Sequence, residues 1–166
     1  MRSSVTPSSG EVGRGAVRVR RATVSDAKRL TRLVRNSRAY EGPYAPMVAG
    51  YRVGADYIET HRVFAAVESA ESGSGRLLGF YSLILDPPEL DLMFVADDAQ
   101  GLGIGRLLIG HLCGEARNAG LTGVRIVSHP PAEGFYRSVG ARRTGTETAR
   151  PPAVMWDRPE LMLPVG

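Results

Sequence analysis

The chain has 166 residues, which is the size of a single domain. Apolar residues make up 43% and charged residues 23%, a balance that excludes a collagen, a coiled coil and a wholly disordered chain. The net charge is +4, but residues 1–38 hold ten basic and two acidic side chains, whereas residues 39–166 hold eleven basic and fifteen acidic ones. The basic excess therefore lies at one end of the chain, and it does not by itself indicate a nucleic-acid binder.

The cysteine content and the hydropathy set expectations for the compartment. Cys113 is the only cysteine in the sequence, so no disulfide can form within the chain, which fits a reducing compartment. No apolar run resembles a signal peptide or has the length of a membrane span. We therefore expect a cytoplasmic protein without a membrane partner.

Strand and helix signals alternate along the chain. Residues 1–15 are rich in Ser and Gly, so we predict a flexible tail followed by one domain over residues 16–166. Strands are predicted over 16–20, 63–68, 77–85, 89–95, 124–127, 141–144 and 160–163, with a polar turn over 69–75. Helices are predicted after an N-cap at Ser25, near 55–61, over 104–118 with His111 on the apolar face, and over 132–138. This order indicates an α/β protein with a mixed sheet.

A glycine-rich segment joins one predicted strand to the longest predicted helix. It reads Gln100-Gly101-Leu102-Gly103-Ile104-Gly105-Arg106. Glycines let a backbone approach a ligand closely, and the amides and dipole at a helix start favour a phosphate. The segment lacks the Gly-Lys-Ser/Thr ending of a Walker A loop and the spacing of a dinucleotide-binding loop. A phosphate-binding turn of another class and a plain glycine-rich turn remain as interpretations.

Two motifs resemble those of a known family. Gln100-x-x-Gly103-x-Gly105 matches the Q/R-x-x-G-x-G/A motif of the GCN5-related N-acetyltransferases, and residues 132–140 match that family's A-x-x-F-Y-x-x-x-G motif. The resemblance covers residues 17–145. It implies a mixed, mostly antiparallel sheet of six to seven strands flanked by helices, with splayed parallel strands 4 and 5. After the fifth strand this chain has Ser128-His129, where the family often has Asn or Asp.

The resemblance also implies a reaction and a set of contacts. Acetyl-CoA would be the co-substrate, and an amine would attack it directly in a ternary complex. A backbone N–H near Phe94–Val95 would stabilise the thioester oxygen, and Tyr136 would protonate the leaving thiolate. The implied acetyl-CoA contacts are Phe94, Val95, Gln100, Gly101, Leu102, Gly103, Ile104, Gly105, Arg106, His129 and Tyr136. No Cys/His cluster has metal-ligand spacing, so we expect no metal.

The group that accepts the amine proton stays open at this point. Strict alternation in the strand over 89–95 places Asp91 on one face with Met93 and Val95, and Glu89 shares that face. Asp91 is the first candidate for a general base and Glu89 the second. Ordered water and His129 are alternatives.

Tyrosines are concentrated in the segment 40–57. In the family the acceptor site forms from the early helices and the last strand pair, so Tyr40, Tyr44, Tyr51 and Trp156 are predicted to line it. Packing of these tyrosines against the sheet is the alternative. The acidic part of the chain favours a cationic small-molecule amine, such as a polyamine or an amino-sugar antibiotic. A protein N-terminus or lysine as acceptor, and a non-catalytic CoA-binding sensor, are the alternative functions. Dimers are common in the family, so a homodimer is compatible with the resemblance.

Overall fold

The computed structural model describes residues 16–69 and 75–166. The predicted tail over 1–15, and residues 70–74 of the predicted polar turn, lie outside the described residues. The strands are β1 (Val17–Arg21), β2 (Arg62–Glu68), β3 (Arg76–Leu85), β4 (Pro88–Val95), β5 (Gly123–Val127), β6 (Arg142–Glu147) and β7 (Arg158–Pro164). The α-helices are α1 (Ala27–Arg35), α2 (Ala55–Thr60), α3 (Ile104–Asn118) and α4 (Glu133–Ser138).

The strands form one mixed sheet in the order β1-β2-β3-β4-β5-β7-β6. Every neighbouring pair is antiparallel except β4 and β5, which are parallel. That pair is joined only at Glu89 opposite Arg125 and at Leu90 opposite Ile126, and the strands separate beyond these positions. The predicted fold class is thereby confirmed. In the described parts of the chain, no helix is long and apolar enough to cross a membrane.

Helices cover the sheet on both faces. On the α3 face, side chains such as Leu108 and Leu112 of α3 pack with Val124 and Ile126 of β5. On the opposite face, which we call the α1–α2 face, Leu30 of α1 packs in a second cluster with residues of α2, β2 and β4. The helix predicted over 104–118 is confirmed, and His111 is half-buried with its Nδ1 2.7 Å from the Tyr81 hydroxyl.

A β-bulge interrupts β4 at Asp91. Ser82 of β3 pairs with Leu92 and the next residue, Leu83, pairs with Leu90, so Asp91 is an extra residue in the ladder. Leu90 therefore joins Met93 in the cluster on the α3 face, although strict alternation would separate them. The expectation that Asp91 shares a face with Met93 and Val95 is wrong, because the Asp91 carboxylate contacts Tyr57 of α2 on the other face.

The start of α1 also differs from the prediction. Ser25 is not the N-cap, because a 3-10 turn over Val24–Asp26 precedes the helix and is capped by Thr23 and Asp26. Asp26 is 5% exposed and accepts hydrogen bonds from the Thr23 amide at 2.8 Å and from both terminal nitrogens of Arg20 at 2.8 and 2.9 Å. The hydrogen bonds from Arg20 hold the pKa of the Asp26 carboxyl well below its usual range.

Asp26→Asn is expected to reduce the free energy of unfolding by about 2 kcal/mol at about pH 7, because it removes charge-assisted hydrogen bonds. A lowered folded-state pKa stabilises the fold above the ordinary carboxyl pKa of about 3.9, and this contribution is lost as the pH falls through the folded-state value. The difference between the two proteins in urea unfolding should therefore shrink below about pH 4.

Asp98→Asn is the matched control, because its pair with Arg76 has a similar N–O distance of 2.9 Å but the Asp98 side chain is 68% exposed. We expect its effect to stay below about 1 kcal/mol. An effect of Asp26→Asn that does not change with pH would contradict the electrostatic explanation.

Candidate active site

A cavity of about 710 Å³ opens where β4 and β5 separate. On its α3 side it is lined by the glycine loop and α4, and on its α1–α2 side by the segment 37–51 and the start of β7. Of the predicted site residues, the cavity lining includes Tyr40, Tyr51, Asp91, Phe94, Val95, Gln100, Gly101, Gly103, Ile104, Gly105, Arg106, His129 and Tyr136. Leu102, Glu89, Tyr44 and Trp156 are not part of that lining.

The glycine loop presents unpaired amides to the cavity. Gly101 and Gly103 have φ values of 79° and 81°, which a side chain would oppose. The first backbone hydrogen bond of α3 is donated by the Leu107 amide to the Gly103 carbonyl, with an N–O distance of 3.0 Å. Among the described residues, the amides of residues 104–106 therefore lack a backbone acceptor, as expected for a first helical turn. These donors and the exposed Arg106 suit a phosphate group.

Two contacts fix the position of this loop. The Gln100 amide Nε2 donates to the Val95 carbonyl at 3.1 Å, which ties the loop to the end of β4. A Cβ at Gly105 would lie 3.0 Å from Cζ of Phe135, so α3 approaches α4 as closely as a glycine allows. The loop is thus joined to both the strand and the helix that bear the other candidate groups.

The open edge of β4 offers backbone donors to the cleft. The amides of Leu92 and Ala96 point towards β3, since they donate to Ser82 Oγ at 3.0 Å and to the Leu78 carbonyl at 2.8 Å. Alternation along the strand then directs the amides of Met93 and Val95 to the side from which β5 has separated. Of the pair Phe94–Val95, the Val95 amide is the one that faces the cleft.

Tyr136 enters the cavity from α4. Its side chain is 8% exposed, and within the described residues its hydroxyl makes no hydrogen bond. Burial, and to a smaller extent the nearby Tyr40, raises the pKa of Tyr136. The phenol therefore keeps its proton at neutral pH and can donate it.

Aromatic rings on the α1–α2 side pack around His129. The Tyr40 ring stacks on His129 with centroids 4.0 Å apart, and burial raises the pKa of Tyr40 to about 12. Tyr44 contacts His129 edge-on at 4.6 Å and Trp156 at 4.7 Å. Tyr44 and Trp156 thus support the ring that lines the cavity, without lining it themselves.

A directed chain of hydrogen bonds ends on Asp91. Ser82 Oγ accepts from the Leu92 amide and lies 2.6 Å from the Tyr57 hydroxyl, which in turn donates to Asp91 Oδ2 at 2.5 Å. Because the single Tyr57 proton goes to Asp91, the Ser82 proton must point to Tyr57. Within the described residues Asp91 Oδ1 accepts no hydrogen bond, so it is available to a ligand in the cavity.

Glu89 is not part of the hydrogen-bond chain that ends on Asp91. Its carboxylate is 3.3 Å from Nη1 of Arg125, which also contacts Glu147 and Glu160. Burial raises the pKa of Glu89, and the charge of Arg125 acts in the opposite direction. The structure brings Asp91, and not Glu89, into the cavity that contains Tyr136.

The sequence did not predict three residues that belong to the hydrogen-bond chain ending on Asp91 or line the cavity: Tyr57, Ser82 and Arg158. Tyr57 belongs to the tyrosine-rich segment, but its contact with Asp91 depends on the bulge. Arg158 lies at the start of β7 and lines the cavity, with no motif around it. Within the described residues, no group of three His, Cys, Asp or Glu side chains is arranged to hold a metal ion.

The surroundings of His129 disfavour the charged form of its imidazole. Its Nε2 donates to the Ala39 carbonyl at 2.5 Å, whereas its buried Nδ1 has no hydrogen-bond partner in the described structure. Burial lowers the pKa of His129, and the bond to Ala39 acts in the opposite direction.

We expect the His129 imidazole to titrate below the ordinary pKa of about 6.5, in the Nε2–H tautomer, because burial disfavours the charged ring. Long-range proton–nitrogen NMR spectra recorded against pH measure both properties, and the loss of one signal set in His129→Asn provides the assignment. Titration at or above the ordinary value, or an Nδ1–H tautomer, would show that the imidazole is not held in this way.

Comparisons with known proteins agree with this geometry. The family model for the acetyltransferase (GNAT) domain matches residues 55–151, which include the glycine loop, Tyr136 and Asp91. Among curated proteins, none matches the chain in sequence.

Solved structures with the same fold are numerous. A GCN5-related N-acetyltransferase from Rhodopseudomonas palustris is 18% identical with a TM-score of 0.73, covering 90% of this chain and 95% of that one. The ribosomal-protein-S18-alanine N-acetyltransferase from Escherichia coli is 18% identical with a TM-score of 0.66, covering 91% and 95%. Arabidopsis thaliana NAA60 in complex with acetyl-CoA is 16% identical with a TM-score of 0.68, covering 90% and 99%. At these identities the likeness shows a shared fold.

Proposed function

The chain belongs to the GNAT family of N-acetyltransferases, and from this premise we propose that it transfers the acetyl group of acetyl-CoA to a small-molecule amine. The observation that supports the proposal best is the continuity of one cavity. It joins the open amides of the glycine loop, on the α3 face, to Tyr136 in the cleft and to Asp91 on the α1–α2 face. A donor and an acceptor could therefore occupy it together, which suits direct attack in a ternary complex.

The donor half of the cavity fits acetyl-CoA. The amides of residues 104–106 and the Arg106 guanidinium would bind the pyrophosphate, since both offer hydrogen bonds and positive charge. The Val95 amide would donate to the thioester oxygen. A donor of this kind contributes about 10²- to 10³-fold in rate, because negative charge develops on that oxygen in the transition state.

The acceptor half favours a compact amine. The hydrogen bond from His129 to the Ala39 carbonyl ties the segment 37–51 to the end of β5. Tyr40 stacks over the same imidazole and narrows this side of the cavity. With the segment 37–51 tied across this side, the cavity leaves room for a small molecule more readily than for an extended polypeptide.

Two side chains supply the proton transfers in this proposal. As the amine nitrogen bonds to the acetyl carbon and the carbon–sulfur bond breaks, Asp91 Oδ1 accepts the amine proton and the Tyr136 hydroxyl donates a proton to the sulfur. The Tyr57 hydroxyl holds the Asp91 carboxylate in place through Oδ2. The high pKa of buried Tyr136 keeps its proton available at the start of each turnover.

Tyr136→Phe tests the acid and the function together. We expect acetyl-CoA to bind with unchanged affinity in calorimetry, while kcat for amine-dependent thiol release falls by about 10²- to 10⁴-fold, because a general acid is lost. Tyr44→Phe is the matched control, since Tyr44 packs behind His129 and does not line the cavity. Absence of acetyl-CoA binding to the unaltered protein would contradict the proposed function, and unchanged turnover of Tyr136→Phe would contradict the acid assignment.

Asp91→Asn tests the base. We expect kcat/KM for the amine to fall by about 10²-fold, because the amide cannot accept the proton, and Tyr57→Phe to give a smaller loss through misplacement of the carboxylate. Asp56→Asn is the control, since Asp56 is an exposed carboxylate on the same helix as Tyr57. If Asp91→Asn behaved like Asp56→Asn, proton transfer to ordered water would replace the role given to Asp91.

A further inference from the structure

Arg158 lies on the acceptor side of the cavity. Its strand, β7, buries Leu161 and Leu163 on the α3 face, so alternation directs Arg158 to the α1–α2 face. The Ser128 amide donates to the Pro159 carbonyl at 2.9 Å, which places Arg158 beside the end of β5 and next to His129. The side chain is part of the cavity lining, as Asp91 is.

The Arg158 guanidinium has no partner in the described structure. None of its nitrogens donates a hydrogen bond, none lies within ion-pair distance of a carboxylate, and the buried Nε is left unsatisfied. A buried donor without an acceptor costs free energy, and the cost is larger for a charged group. Such a group is expected to find its acceptor in a ligand.

The carboxylates on this part of the sheet are already bound by another arginine. Arg125 contacts Glu160 at 2.8 Å, Glu147 at 3.1 Å and Glu89 at 3.3 Å. Glu147 is the residue that pairs with Arg158 in the β6–β7 ladder, and yet its carboxylate contacts Arg125 and Arg150. The protein thus satisfies one arginine of the pair and leaves the other facing the cavity.

We propose that Arg158 binds a carboxylate of the acceptor, and that the acceptor is therefore an amino acid or a closely similar amino-carboxylate. This inference rests on the proposed function. The cavity lining offers a partner for each charged group of such a molecule, because Asp91 can receive the amine and the planar guanidinium of Arg158 can bind the carboxylate through two hydrogen bonds. Apolar side chains of Met47, Val48 and Leu92 line the same cavity and can contact the rest of the molecule.

The uneven charge of the chain then has a different consequence from the one expected at first. The net acidic part of the sequence favours a purely cationic acceptor such as a polyamine. The local arrangement favours a zwitterion, because an unpaired cation and an available carboxylate oxygen line one cavity. Contacts within a cavity decide specificity more strongly than net charge, which acts mainly on the rate of encounter.

The test uses the full-length protein with acetyl-CoA and the L-amino acids, each paired with its amide, which keeps the amine and removes the carboxylate. We expect one or more acids to exceed their amides in kcat/KM by at least about tenfold, although the less basic amine of the amide would favour the amide chemically. Arg158→Met should reduce kcat/KM for that acid by about 10- to 100-fold, mainly through a higher KM. It should change kcat/KM for the corresponding amide by less than about threefold.

Two further variants separate recognition from folding. Arg158→Lys keeps the charge without the planar fork, so it should retain part of the preference for the acid. Arg150→Met is the matched control, because Arg150 is an exposed arginine of the same region and should leave the preference unchanged. An absence of turnover with every acid, a preference for the amides, or an equal loss for acid and amide in Arg158→Met would each overturn the proposal. Those results with acetyl-CoA still bound would leave the proposed function standing, whereas loss of acetyl-CoA binding would contradict the proposed function itself.

Discussion

The separation of β4 from β5 is the constraint on which the candidate site depends. Backbone amides in the middle of a sheet are normally paired, and leaving them unpaired in a buried place costs free energy. Here the ladder stops after Leu90 and Ile126, so the amides of Met93 and Val95 face an opening. A ligand oxygen in the cleft would complete the bonds that β5 does not make. The backbone of β4 thus contributes polar groups to the cleft in addition to the side chains that line it.

The same opening connects two halves that are built differently. On the α3 face the site is formed mainly by backbone, since the glycine loop offers amides and Gly105 brings α3 against α4. On the α1–α2 face it is formed by side chains, in which Tyr40 stacks on His129 and Tyr57 holds Asp91. A backbone surface suits a ligand part that never changes, whereas side chains suit a part that differs between relatives. This division supports a constant acyl donor on one side and a variable amine on the other.

The features of the site that depend only on residues close in sequence could be predicted from the sequence. Glycines at 101 and 103 with a helix start after them make a local pattern, and so does the Phe135-Tyr136 pair, because each needs only a few residues to be recognised. The bulge at Asp91 was missed because it arises from pairing with β3, and a one-residue insertion reverses the alternation used to assign faces. The lack of a partner for Arg158 among the described residues was equally hard to predict, since it depends on Arg125 binding carboxylates from three different strands.

The close packing of Gly105 on Phe135 has a consequence for how specificity can change in evolution. This contact sets the start of α3 directly against α4, so packing within the fold determines the spacing between the unpaired amides of residues 104–106 and the Tyr136 phenol. The segment 37–51 lies on the other side of the cavity, where the Ala39 carbonyl accepts a hydrogen bond from His129 at the end of β5. Under the proposed function, substitutions in that segment or at β7 would change the acceptor and leave the spacing between these amides and Tyr136 unaltered. The conformational entropy of these groups is lost when the protein folds. Binding of a new substrate therefore does not have to order them again.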